Sequence, residues 1–172
     1  ESWMSGGFGM HGAWEAQLRA GGVGDWGSGA IHYRQSDGGR FFESTRQESR
    51  RASVAYDPEV ADGHDLRIRG FWADHESSGF PDDSGGPLYA VLPDPENREG
   101  EESGLSVRYA LQIDETGGVL HVQGSHYRRT DETVSPGVVP GVRDPMGLPE
   151  STVDSELVRW VASAWYAQPL RY

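Results

Sequence analysis

A chain of 172 residues with 35% hydrophobic residues, 24 Gly and 10 Pro is long enough for one core, and its many turn formers argue against a helical bundle. Its net charge of −12, with all fifteen basic residues Arg, argues against a nucleic-acid partner and disfavours anionic membranes. Without Cys there is no disulfide, thiolate metal site or cysteine nucleophile, and no run reaches the roughly 18 apolar residues of a membrane-spanning helix, so no membrane insertion is expected.

The chain opens on Glu1 rather than Met, which fits upstream cleavage or trimming and leans towards a secreted, extracellular or virion setting. Residues 1–30 read as a Gly/Trp-rich arm, with Gly at 6, 7, 9, 12, 21, 22, 24, 27 and 29. Such glycine density resists regular structure, although Ala13 to Ala20 has room for two helical turns. Its aromatics Trp3, Phe8, Trp14 and Trp26 need somewhere to dock, either on their own domain or on a neighbouring subunit, and form the candidate assembly arm.

Residues 31–172 read as one β-rich domain. Ile31 to Gln35 is a short strand closed by Ser36-Asp37-Gly38-Gly39. Arg40 to Tyr56 is ambiguous, its polar middle Ser44 to Ser53 suiting an exposed helix or a long exposed strand equally, and Asp57-Pro58 ends it. Leu66 to Ala73 is a strand in which Gly70 marks a bulge, and Leu88 to Leu92 is a short apolar strand. Leu105, Val107, Tyr109, Leu111 and Ile113 alternate with polar or small residues, the pattern of a half-buried strand. The turn Asp114 to Gly118 then leads into Val119 to Tyr127 as an antiparallel hairpin. After a proline-rich connection from Thr133 to Pro149, Val153, Leu157, Trp160, Val161, Ala164 and Trp165 recur at spacings of three and four. That spacing predicts an amphipathic helix over 152–168, capped by Ser151 and stopped by Pro169. The expected fold is mainly β (α+β), an antiparallel sandwich or barrel of about six strands with this C-terminal helix packed on the sheet.

Asp83-Ser84-Gly85-Gly86-Pro87-Leu88 resembles the segment around the nucleophile of chymotrypsin-like serine proteases, which implies a hydrolase using Ser84. Asp82 stands where that family carries Gly, and His32 and Asp57 come in the right order without the family's sequence context. A turn built on Pro81, Asp82 and Asp83 explains the segment without catalysis. Of the six histidines, His121 and His126 are five apart and fall on opposite strand faces, so no metal site and no cofactor are expected. Between Asp57 and Glu102 stand 13 Asp and Glu against three Arg. Within it, Asp82-Asp83 and Asp94 to Glu102 read foremost as solvated acidic loop, with calcium binding or docking of a basic partner as alternatives.

These readings favour a non-enzymatic structural or interaction protein, a subunit of an extracellular, envelope, filament or virion assembly whose partners are copies of itself or other proteins. The alternative is a small lipocalin-like barrel for an apolar ligand, with Trp72, Tyr109 and Tyr127 lining its cavity. A Ser84 hydrolase ranks third.

Overall fold

A period of two, not 3.6, governs the chain almost from its start. The computed structural model describes residues 1–40, 45–79, 95–113, 117–137, 140 and 145–168. Eight strands follow one another: β1 (Ser2–Phe8), β2 (Trp14–Gly24), β3 (Gly27–Asp37), β4 (Arg46–Pro58), β5 (His64–Gly79), β6 (Glu96–Gln112), β7 (Val119–Ser135) and β8 (Ser151–Ala167). Each pairs antiparallel with its sequence neighbour, giving one meander in the order β1 to β8. The expected hairpin is β6 and β7, paired in unbroken register from Asn97–Val134 to Gln112–Val119.

The mainly β, antiparallel class holds, but three parts of the expected fold are corrected. There is no C-terminal helix: 152–168 lies almost wholly in β8, paired with β7 from Val119–Ala167 to Ser135–Ser151. The helical spacing arose because both faces of β8 carry apolar residues, Val158 and Trp160 on one and Val161 and Trp165 on the other. Its valines and aromatics favour a strand once a neighbour supplies hydrogen bonds. The strands number eight rather than about six, and the described residues form a single open sheet, neither doubled nor closed.

Residues 1–30 account for two of the added strands, β8 being the third. They form β1, β2 and the start of β3, and their glycines face one another in the pairs Gly22–Gly29 and Gly24–Gly27. At Gly21 a methyl group would stand 2.8 Å from the Gly29 carbonyl oxygen, so the close approach requires glycine. The run from Glu96 to Glu102 is likewise not a loop; it lies inside β6. Ser84, Asp82, Asp83 and the expected strand Leu88 to Leu92 lie outside the described residues.

A single layer cannot enclose apolar groups between two surfaces. Ala110 is the one buried hydrophobic side chain among the described residues, while Met4, Ile31, Leu105 and Trp160 are all more than half exposed.

Candidate functional site

Because strand side chains alternate and the pairing carries no bulge, the register sorts every strand residue onto one of two faces. One face holds Trp3, Arg19, His32, Ser53, Phe71, Gly104, Tyr127 and Arg159 as a single row of neighbours across all eight strands. Residues of this face from β1 to β7 surround one open hollow of about 730 Å³, so this is the concave side. It carries most of the strand arginines, including Arg34, Arg51, Arg67, Arg69, Arg108 and Arg129 beside Arg19 and Arg159.

Several of these arginines pair along or across strands. Arg34 reaches Glu15 at 2.9 Å, Arg69 reaches Asp57 at 2.6 Å, and Arg129 reaches Asp131 at 2.6 Å. Hydrogen bonds from Arg69 and Arg129 hold Asp57 and Asp131 below the ordinary carboxylate range, against the effect of burial. Glu15 is lowered first by Gln17 and then by Arg34. The Tyr127 hydroxyl donates to Glu102 at 3.2 Å, and its pKa is raised by burial and then by that carboxylate. Arg19, Arg51 and Arg159 make no ion pair among the described residues; Arg51 instead lies over the Phe71 ring, 5.4 Å from its centre.

The convex face is opposite in character. Met4, Leu18, Ile31, Val54, Ile68, Leu105, Val107, Val122 and Trp160 form a continuous apolar band. On β8 the band runs from Val158 to Tyr166, eight residue steps or about 27 Å along the strand. Beyond it, towards the turns after β1, β3, β5 and β7, stand two rows of neighbours. Arg50, Asp74, Glu101, Thr130 and Glu156 form the first; Asp37, Glu48, Glu76, Glu99, Glu132 and Asp154 form the second. Glu48, 7% exposed, accepts hydrogen bonds from Gln35, Arg46 and Arg50. Arg50 above all lowers its pKa, outweighing desolvation.

Aromatics mark both borders of the band. Tyr33 donates to Gln35 at 3.0 Å on the carboxylate side, and Tyr56 donates to the Trp26 carbonyl at 3.3 Å on the other. Tyr56, Tyr109 and Tyr166 lie on β4, β6 and β8, each two residues further along the register than the last. With about 4.8 Å between strands and about 3.4 Å per residue, that line is inclined by roughly 35° to the pairing direction. Trp14, Trp72 and Trp160 slope the same way along the other border.

The four arm aromatics are separated by this arrangement. Trp3 faces the hollow, Phe8 and Trp14 are register partners on the convex face, and Trp26 stacks on Tyr56 with ring centres 6.0 Å apart. Of the three aromatics expected to line a cavity, Tyr127 does, whereas Trp72 and Tyr109 lie on the convex side. His121 and His126 do fall on opposite faces, against Trp165 and Trp160 respectively. Among the described residues no group of His, Asp and Glu has metal-binding geometry. No helix there is long and apolar enough to cross a membrane, which leaves open a crossing by strands. Sequence reading missed the row through Arg19, Phe71 and Arg159 because the register that aligns them is set by pairing; period-two alternation across β2, β5 and β8 was the available signal. Comparison with family models, with curated proteins and with solved structures gave no match to this chain.

Proposed function

We propose that this chain is a non-enzymatic structural protein of a cell envelope, forming the wall of a membrane-spanning β-barrel with its convex face against lipid and its concave face against water. The observation that carries this reading is the inverted polarity of a curved sheet, apolar outside and Arg-rich inside. A water-soluble barrel of the lipocalin kind needs the reverse. Three features support it. At a tilt of about 35° the nine residues Val158 to Tyr166 rise about 22 Å, near the ~25 Å apolar band of such barrels, with aromatic girdles at both borders. The obliquity of those girdles matches the tilt of 35–45° that barrel strands adopt. The connections after β2, β4 and β6 take 2, 5 and 6 residues, whereas those on the other side, after β1, β3, β5 and β7, take 5, 8, 16 and 15, so the long connections all lie at one end of the sheet, as loops do at one surface of such barrels.

The expectation of no membrane insertion rested on apolar runs, which is a criterion for helices. An alternating strand crosses with half as many apolar residues, spread among polar ones. In this reading the outer edges of β1 and β8 are paired inside the bilayer, since unpaired backbone groups are not tolerated in hydrocarbon.

A unique label is available because the chain has no Cys. Val122→Cys and Gln123→Cys place it on the convex and concave faces of β7 respectively. In phosphatidylcholine vesicles, a fluorophore at 122 should be quenched by nitroxide-bearing lipids and one at 123 by aqueous iodide. Iodide quenching at both positions would overturn the proposal; protection of 122 from both quenchers would replace lipid by a second protein layer.

A further inference from the structure

The concave hollow is built as a site rather than as a featureless bend. Its lining includes Ser53, Gly104, Ser106 and Ser125, residues too small to fill it, together with the rings of Trp3 and Phe71. Phe71 lies across Gly104, where a methyl group would strike its ring. The space of about 730 Å³ falls within the roughly 300–1,000 Å³ of small-molecule sites. Rings and small residues offer a flat apolar slot.

Charge then narrows the occupant. Arg19 lines the hollow in the register row of Phe71, and it makes no ion pair among the described residues. Arg51 sits two residues from Ser53 on the same face, its guanidinium over Phe71 rather than on a carboxylate. Arg19 pairs with Trp3 across β1 and β2 and stands three strands from Phe71, so the hollow has a guanidinium with free donors towards one end and a ring further along, which suits a planar anion held by charge-assisted hydrogen bonds at one end and ring contacts along its body. On a chain of net charge −12, these unpaired cations stand out against the overall field.

We infer that the hollow binds a small aromatic carboxylate, its ring against Phe71 and its carboxylate on Arg19. This inference rests on the curvature of the sheet and not on what covers the convex face, so it stands or falls separately from the lipid reading.

The probes are 2-naphthoate and its neutral counterpart 2-naphthamide, titrated calorimetrically into the full chain in whichever medium, detergent or buffer, keeps its far-UV strand signal. Naphthoate should bind roughly tenfold more tightly than the amide. Arg19→Gln should remove that preference while leaving amide binding unchanged, and Phe71→Leu should weaken both ligands. Equal affinity for naphthoate and naphthamide, or a preference that survives Arg19→Gln in a folded variant, would overturn the inference. So would a Phe71→Leu variant that binds both as the parent does. Because the fold is monitored in each sample and the quenching experiment is separate, a missing site and a missing bilayer give different results.

Discussion

The indole Nε1 of Trp72 donates a 2.9 Å hydrogen bond to Oε1 of Glu101, tying the last apolar row of the convex face to the first carboxylate row. An amphipathic ring is placed where one end meets apolar neighbours and the other a charge, which is how Trp behaves at a membrane boundary. Within the band that Trp72 closes, the two faces of one sheet should respond in opposite ways to the same charge.

Leu105→Arg puts a guanidinium on the convex face within the band; Gln123→Arg puts one on the concave face. In vesicles the first should destabilise the folded chain by about 2–4 kcal/mol and the second by less than about 1 kcal/mol, read from urea unfolding midpoints. Equal penalties would mean that the band does not meet hydrocarbon.

The alternation of Leu105 to Ile113 and the turn after it made the β6–β7 hairpin legible, because one polar and one apolar face leave period two as the strongest signal. On β8 that signal was masked, since Val153, Leu157, Val161 and Trp165 occupy the face opposite Val158 and Trp160 and so generate helical spacings by coincidence. The glycines of β1 and β2 hid two strands for a different reason: their stability comes from partners across the sheet, which a local reading does not contain. The concave row was illegible on the same ground, as Trp3 and Arg159 become members of one row only through seven successive registers. The acidic count between Asp57 and Glu102 was correct as composition, but a net charge does not say that Glu99 and Glu101 share one face while Glu102 takes the other.

Gly104 and Gly124 separate the faces by size. A methyl group at 104 meets the Phe71 ring, whereas at 124 nothing lies within 4 Å. Gly104→Ala should therefore destabilise by about 1–3 kcal/mol through overpacking, and Gly124→Ala should be neutral or stabilise by about 0.5 kcal/mol by restricting the unfolded chain. Thermal unfolding of both variants checks the pair, and a tolerated Gly104→Ala would show that Phe71 swings clear.

Acid should weaken the sheet through Glu48. Its folded pKa lies below the ordinary 4.5, chiefly because of Arg50, so the unfolded chain takes up protons first as pH falls. The stabilisation is fully present above about pH 4.5 and is lost as pH drops through the folded value. Glu15 is shifted the same way and acts in the same window, whereas Asp57, Asp65 and Asp131, lowered from an ordinary 3.8, add a loss that begins at lower pH. Glu48→Gln should cost about 1–2 kcal/mol at pH 7 and flatten the fall in stability below pH 4.5. A variant with the parent's acid slope would remove Glu48 from that linkage.

Glu99 stands directly across from Glu76 on one side and Glu132 on the other, in a row of carboxylates on neighbouring strands. Like charges facing each other across strands oppose pairing, and no ion pair at these three residues is present among the described residues to offset that repulsion. Replacing the central charge removes two repulsions at once while keeping the shape of the side chain. Glu99→Gln should therefore raise stability at low ionic strength by about 0.5 kcal/mol, a gain set by cross-strand pair energies. At 1 M salt the screening length shrinks to about 3 Å, shorter than the spacing of neighbouring strands, and the gain should vanish. Denaturant midpoints of parent and variant at low and high salt measure both quantities. A gain that persists in 1 M salt would assign the effect to strand propensity instead of charge, and no gain at low salt would mean that the three side chains splay apart far enough for water to screen them.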